Sequence, residues 1–254
     1  MKSLEGMSVI VTGGGSGIGA ATARRFAAGG ARVTICGRRP EAVARVANDA
    51  GANCRPVTAD VTLDADRRRL VDAAVEFGGG LDTLVSNAGN MYRGPVTDLD
   101  EAQLLSVFHT NVVAGMLLTG LCVAHMVERG GGAVCFLGSI HTQRAFPGAS
   151  PYAATKGALE ALTGVLAAEL GPRNIRVNCV RPGAVFTEIN QRAGLLDDES
   201  ARKRLEALAP AHALGRIGTA EEIAEALEYL TCAEWTTGAV VSVDGGLGLG
   251  VTNA

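Results

Sequence analysis

Tyr152 and Lys156 stand four positions apart in Tyr152-Ala153-Ala154-Thr155-Lys156, which places them one turn apart on a shared face of a helix. A free tyrosine has a pKa near 10, so proton transfer around neutrality needs roughly three units of depression, about 4 kcal/mol. A neighbouring ammonium acts in that direction because it favours the phenolate. The pair therefore fits general acid–base chemistry at a substrate oxygen. The same spacing also arises by chance on many helices, and the two residues alone do not decide the matter.

A second constellation lies near the N-terminus. Val9-Ile10-Val11-Thr12 runs directly into Gly13-Gly14-Gly15-Ser16-Gly17-Ile18-Gly19, and a helical pattern follows. Glycines permit a tight turn and let backbone N–H groups approach a phosphate at a helix N-terminus. The spacing is not GxGxxG, and a plain tight turn is the alternative. Its place between the first strand and the first helix favours a dinucleotide pyrophosphate. A site for NAD usually carries Asp or Glu about 20 residues further on, bonded to the ribose 2′-OH. Here the second strand ends Ile35-Cys36-Gly37-Arg38-Arg39, without an acid. A guanidinium binds a 2′-phosphate through bidentate, charge-assisted bonds, whereas an acid repels it. NADP(H) is favoured, NAD(H) stays possible, and solvated charges ahead of a helix are the alternative reading of Arg38 and Arg39.

Strand-like and helix-like segments alternate along the chain. Strands are expected over Ser8–Thr12, Arg32–Cys36, Cys54–Thr58, Asp82–Ser86, Ala133–Leu137, Ile175–Val180 and Ala239–Val243. Helices are expected over about Ile18–Ala28, Pro40 to near Gly51, Asp64–Phe77, Leu99–Glu128, Tyr152–Leu170 and Glu221–Leu230. The strands are mostly continuous apolar runs, the pattern of strands buried on both faces of a parallel sheet. Right-handed crossovers then give an α/β, doubly wound, Rossmann-like parallel sheet with helices on both faces. No linker or composition shift divides residues 1–254, so one domain is expected. The segment Thr187–Thr219 interrupts the alternation. It follows a strand's carboxyl end, where open α/β sheets bind ligands, and reads as a substrate lid. An ordinary surface excursion is the alternative. The opposite charges Asp198/Arg202 and Glu199/Lys203 support a short helix within it.

Composition narrows the partners. The net charge is −3, and the one short basic cluster, Arg67-Arg68-Arg69, lies in a helical pattern and reads as a solvated helix face. A basic footprint for nucleic acid is missing. The six cysteines and four histidines are scattered without metal-ligand spacing, so neither disulfides nor a metal site is expected. No signal-peptide pattern opens the chain. The apolar run Val112–Val127 is shorter than the roughly 20 residues of a membrane span and reads as a buried helix. A soluble, cytoplasmic protein is expected. Only 19% of residues are charged, which hints at surface covered in an oligomer.

The sequence resembles the short-chain dehydrogenase/reductase family in its compact form, from Thr12 to about Gly246. The resemblance rests on Thr12-Gly13-x-x-x-Gly17-x-Gly19, Asp60-Val61, Asn87-Ala88-Gly89, Asn111, Ser139, Tyr152-x-x-x-Lys156, and Pro182-Gly183 followed by Thr187. It implies hydride transfer between a ketone or other carbonyl and a secondary alcohol, with NADP(H) or NAD(H) carrying the hydride. Tyr152 would be the proton donor or acceptor. Ser139 would bond the substrate oxygen, and Lys156 would bind the nicotinamide ribose and lower the tyrosine pKa. Asn111 would hold a water linking Lys156 to solvent. Gly13, Ser16, Gly17, Ile18 and Gly19 would face the cofactor, as would Asn87, Ala88 and Gly89. Asp60 and Val61 would contact its adenine, Thr187 would hold the nicotinamide carboxamide, and Pro182, Gly183 and Val185 would also bind the cofactor.

Two departures from the family pattern are Ser86, where many relatives have Asn, and Ser16, where some NADP-using relatives carry a basic residue. Substrate-pocket positions implied by the resemblance are Asn90–Tyr92, His141–Phe146, Ala184 and the lid. His141 stands out, either bonding a polar substrate or lying solvated in a loop. The leading expectation is an NADPH-dependent ketone reductase or alcohol dehydrogenase. Its rivals are a 3-oxoacyl-carrier-protein reductase, an NAD-dependent alcohol, sugar or steroid dehydrogenase, and a non-catalytic cofactor-binding regulator. The family usually forms homotetramers, dimers of dimers, through helices that correspond here to Leu99–Glu128 and Tyr152–Leu170.

Overall fold

The computed structural model describes residues 1–188 and 198–250. Seven strands form one parallel sheet: β1 (Ser8–Thr12), β2 (Arg32–Gly37), β3 (Cys54–Thr58), β4 (Thr83–Ser86), β5 (Gly132–Leu137), β6 (Ile175–Pro182) and β7 (Val240–Val243). Their order is β3-β2-β1-β4-β5-β6-β7, and every neighbouring pair runs parallel. This is the doubly wound α/β arrangement the alternation implies. Winding proceeds from β1 outward to β3, then returns past β1 and continues from β4 to β7. The connections that leave β1 and β4 diverge, so a crevice opens at their carboxyl ends.

Strand periodicity divides the core in two. Alternate residues point to opposite faces. Val9, Val11, Ile35, Val85, Cys135 and Val180 join the core under helices α1 (Gly17–Ala28) and α2 (Pro40–Ala50). A last helix, described below as α8, packs on the same side. Ile10, Leu84, Val134, Phe136 and Val177 join the opposite core, under α3 (Asp64–Gly78), α5 (Ala114–Glu128) and α6 (Ser150–Leu170). Pro56 sits in β3, an edge strand, where its missing N–H is tolerated. All six cysteines are free and buried within these layers.

Three expectations need revision. The single helix over Leu99–Glu128 is a composite: α4 (Glu101–Phe108) passes through a π-helical turn, His109–Val113, into α5. Glu101–Glu128 is therefore a continuous helical run of 28 residues, long and apolar enough by composition to cross a bilayer. Half of its most apolar window is buried in the protein, with Ala114, Leu118, Cys122 and Met126 turned to the sheet. Val113, Met116, Leu117 and Val127 remain exposed on the other side. Arg67 does not lie on a solvated face. It is buried, and donates to the Val61 carbonyl at 2.8 Å and to Asp64 at 3.2 Å, bracing the turn after β3 from inside.

After β6 the chain passes residues 189–197, outside the described part, and then forms α7 (Asp198–Glu206) and α8 (Ala220–Cys232). A hydrogen bond between Lys203 and Glu199 spans one turn of α7 at 2.6 Å; the expected Asp198/Arg202 pair lies outside the described side chains. Gly218 bridges back to Val185, so the excursion closes on its own starting point. Thr219 opens α8 with a reciprocal capping box to Glu222.

Phe136, fully buried in β5, anchors the core beneath α5. Phe136→Ala should lower the unfolding free energy by about 3–5 kcal/mol, measured by denaturant titration. A loss below 1 kcal/mol would show that this layer is not closely packed.

Candidate active site

The crevice is assembled at its floor by Thr12. Its hydroxyl, at the end of β1, accepts hydrogen bonds from the backbone N–H of Asn87 at 3.0 Å and of Ala88 at 2.8 Å, just past β4. The Asn87 amide donates back to the Thr12 carbonyl at 2.8 Å and to the Gly13 carbonyl at 3.3 Å. Asn87 thus holds the glycine turn to the end of β4. Gly13 takes φ +66°, and a Cβ there would come within 2.9 Å of the Asn87 amide nitrogen. Gly17 takes φ +52°, and a Cβ would stand 3.1 Å from the Thr187 side chain. Both positions need glycine for conformation and for space. Ser16 caps α1 without making a side-chain capping bond.

Across the crevice, β5 ends in Gly138 and Ser139. Ser139 opens a 3-10 turn, Ile140–Thr142, and α6 begins at Ser150. Tyr152 and Lys156 project from successive turns of α6, and both are buried. The Ser139 side chain acts on the Tyr152 phenol in the direction that favours its phenolate. The Ser139 hydroxyl also lies 3.0 Å from His141 Nδ1, and the His141 ring meets the Tyr152 ring edge-on, with centroids 5.2 Å apart. Lys156 Nζ donates to the Leu137 carbonyl at 2.7 Å and lies 5.4 Å from the Tyr152 ring centroid. Gly13, Ser16, Gly17, Thr187, Ser139, Tyr152 and Lys156 line one continuous pocket, together with Ile18, Asn87–Gly89, Pro182, Gly183 and Val185. The rest of its lining is mainly apolar, with Met91, Ile140, Phe146, Leu205, Leu208 and Leu247 beside Arg93 and His141.

Comparison with known proteins agrees with this geometry. A family model described as Enoyl-(Acyl carrier protein) reductase matches residues 13–248. Dehydrogenase/reductase SDR family member 4 of Sus scrofa is 39% identical over 252 residues, which cover 96% of this chain and 88% of that protein. The chain belongs to the short-chain dehydrogenase/reductase family. The fold of this family member is shared with solved structures. A 3-ketoacyl-(acyl-carrier-protein) reductase from Brucella melitensis, solved complexed with NADH, matches with TM-score 0.89 at 32% identity, covering 97% of this chain and 100% of that one. Levodione reductase matches with TM-score 0.90 at 31% identity, covering 97% and 99%. The family binds NAD(P)(H), and this member is an oxidoreductase.

Within this short-chain dehydrogenase/reductase, burial and hydrogen bonding define the surroundings of the expected site residues. Burial pushes the Tyr152 phenol up to about 12, against the smaller opposing effect of the Ser139 side chain. Lys156 gives one of its three N–H donors to the Leu137 carbonyl, and burial brings its amine down to about 8. Desolvation is the largest effect on both groups. Asn111, carried on the π turn, uses both amide protons on protein: the Asn90 carbonyl at 2.9 Å and Thr155 Oγ1 at 3.0 Å. Its oxygen accepts from the Asn90 N–H at 2.8 Å, leaving one acceptor position of the four. Asn111 therefore ties the loop after β4 to α6.

Asn90 itself is absent from the pocket wall. Its backbone belongs to Asn111 and its side chain accepts from the Met91 N–H, so Met91 and Arg93 stand there instead. Tyr92 turns its hydroxyl to the Asp100 N–H at 2.7 Å. Gly19 packs against the Gly13 carbonyl, where a Cβ would come within 2.4 Å. Asp60 and Val61 are not part of the pocket wall: Asp60, just past β3, accepts from the Thr62 N–H and hydroxyl, and Val61 is buried beside it. Arg38 is exposed with no ion-pair partner among the described residues, whereas Arg39 pairs with Glu188 at 2.6 Å. Ala184 and His141 do line the pocket. Leu205 and Leu208 reach the pocket from the expected lid segment, whereas Leu247 was not foreseen: it arrives from beyond β7, and nothing in its local sequence marks it.

A phenol held at about 12 stays protonated through neutral pH. In the protein without dinucleotide, the 295 nm phenolate signal lost on Tyr152→Phe should therefore appear only as pH approaches 12. A Tyr152 signal emerging near pH 8 would refute the burial effect.

Proposed function

We propose that this chain is an NADP(H)-dependent oxidoreductase that interconverts a ketone and a secondary alcohol, with Tyr152 exchanging the proton. The observation that carries the reading is the meeting of Ser139 and Tyr152, beside buried Lys156, where the glycine-lined crevice joins an apolar pocket. The crevice fits a dinucleotide. Its passage between Gly17 and Thr187 stays open only without a Cβ, and the backbone at the start of α1 faces it. Ser16, Gly17, Asn87–Gly89, Pro182–Val185 and Thr187 would hold the dinucleotide, with Lys156 at its ribose and Asp60 and Val61 at its adenine. When bound, its nicotinamide supplies or takes up the hydride.

The protein's own groups do the remaining chemistry. Tyr152 keeps its proton at neutral pH and holds it ready for an oxygen that gains electron density. Ser139 places a second hydroxyl at that oxygen and shares the developing charge. Lys156 keeps a cation beneath the phenol ring, which favours the phenolate once the proton has moved. The walls of Met91, Ile140, Phe146, Leu205, Leu208 and Leu247 exclude water and favour a substrate whose carbonyl carries apolar groups. The Thr187–Thr219 segment supplies two of those side chains, which supports its role as a lid.

Arg38 supports the preference for a 2′-phosphate. A second reading, with NAD(H), is favoured by the Arg39–Glu188 pair, which engages one of the two expected cations. The exposed apolar side chains Val113, Met116, Leu117 and Val127 of the π turn and α5, and Val165 of α6, support self-association of copies as a homotetramer.

Turnover should be followed as loss of NADPH or NADH absorbance with a panel of aryl-alkyl, alicyclic and 3-oxoacyl thioester ketones. Tyr152→Phe should bind NADPH with nearly unchanged affinity and turn over at least about 10²-fold more slowly, the usual scale of general acid catalysis. Unchanged turnover would sink the assignment. Arg38→Ala should weaken NADPH by about tenfold or more and leave NADH nearly unaffected, as expected for one lost charge-assisted contact. Equal losses for both nucleotides would rule out a 2′-phosphate contact.

A further inference from the structure

Helix α6 carries a third polar residue on the face that bears Tyr152 and Lys156. Glu160 follows Lys156 by four positions, so the three lie on successive turns. The Glu160 carboxylate is mostly buried and fully engaged. Oε1 accepts from the Thr142 hydroxyl at 2.7 Å and from Arg181 Nε at 2.9 Å, and Oε2 accepts from Arg181 Nη2 at 2.7 Å. The side chains of Arg181 and Glu160 are 12% and 15% exposed. Arg181, in β6, also donates to Thr142 Oγ1 at 3.1 Å and to Ser242 of β7 at 3.0 Å. One bidentate ion pair thereby joins α6 to two strands and to the turn that follows β5.

That turn begins at Ser139. The Thr142 N–H donates to the Ser139 carbonyl at 3.1 Å, and the Thr142 hydroxyl lies 2.9 Å from the same oxygen. A hydroxyl has a single proton, and the carboxylate is the stronger acceptor for it. Gly138 completes the contact: a Cβ there would stand 3.2 Å from Glu160 Oε1 and 3.0 Å from the Cys179 sulfur. Helix α6 therefore grips the end of β5 on both sides of Ser139, with Lys156 at the Leu137 carbonyl and Glu160 at Thr142. Tyr152 rides on the same helix, so these two grips set the Ser139 hydroxyl against the phenol. A buried ion pair is weak evidence for stability, since apolar packing serves as well or better. Its planar fork does fix an orientation, which apolar packing does less well.

We infer that Glu160, braced by Arg181 and acting through Thr142, is a positioning residue that aligns Ser139 with Tyr152. The inference rests on the reading of Ser139 and Tyr152 given above. Glu160 touches neither reacting atom, so its loss acts on turnover and leaves dinucleotide binding alone.

The test compares Thr142→Val, Thr142→Ser and Glu160→Gln with the unaltered protein. Thr142→Val keeps the ion pair and removes the hydroxyl, so it remains informative if changes at Glu160 impair folding. For a ketone from the panel above, Thr142→Val and Glu160→Gln should lower kcat by about 10- to 100-fold, the scale of a small misplacement of reacting groups. NADPH dissociation constants, read by nicotinamide fluorescence, should stay within about twofold on the same grounds. Thr142→Ser should restore kcat. Hydrogen exchange by mass spectrometry should show lost protection confined to the peptide containing Ser139–Gln143 in both impaired variants. Full kcat in Thr142→Val and Glu160→Gln, or unchanged exchange in that peptide, would overturn the inference. Tyr152→Phe measured in parallel separates the two readings. If it is inactive while Thr142→Val is fully active, only the positioning role fails; if it is fully active, the assignment of the site fails.

Discussion

The parting of the chain at the carboxyl ends of β1 and β4 is the constraint on which the rest depends. Two adjacent strands send their connections in opposite directions, and the gap between them must be held open without unpaired backbone. Thr12 resolves this with one hydroxyl that accepts two amide protons, while Asn87 returns its own amide to the glycine turn. Four hydrogen bonds across the switch point thus hold a turn whose glycines must stay bare. Asn87, expected to face a cofactor, lines the pocket and spends its side chain on building it.

The opposite wall follows a second logic, in which a single helix sets two elements at once. Helix α6 carries the phenol and also grips the end of β5, so the distance between Ser139 and Tyr152 depends on hydrogen bonds made by neither residue. Asn111 adds a third tie, from the π turn to Thr155 on α6 and to the loop after β4. The π turn matters here. It falls inside a run that reads as one uninterrupted helix, and it carries the side chain that joins two walls of the pocket.

Burial then imposes a cost on the chemistry it permits. Enclosing Tyr152 and Lys156 disfavours the charged form of each, raising the phenol and lowering the amine. The sequence pattern invites the opposite conclusion, because spacing alone counts the attraction between the two and omits desolvation. The resulting site is a protonated phenol beside a cation that titrates near neutrality, which suits an acid waiting for a substrate oxygen.

Local pattern determined a good deal of this protein. Alternation of apolar runs with helical segments pointed to a parallel sheet covered by helices on both faces, because strands buried on both faces need that cover. The strand limits agree to within a residue or two, and the glycine turn and Tyr152–Lys156 pair stand where their spacing placed them. Family resemblance added Ser139 and Asn111, which carry no signal of their own. Tertiary structure alone decided which groups are already engaged. Arg39 faces Glu188, Arg67 is drawn inside, Asn90 leaves the wall to Met91, and Leu247 joins Leu205 and Leu208 of the lid from a segment far away in the chain. The physical reason is common to all of these. Periodicity records which face of an element a side chain takes, but partners and desolvation depend on what the rest of the chain brings to that face.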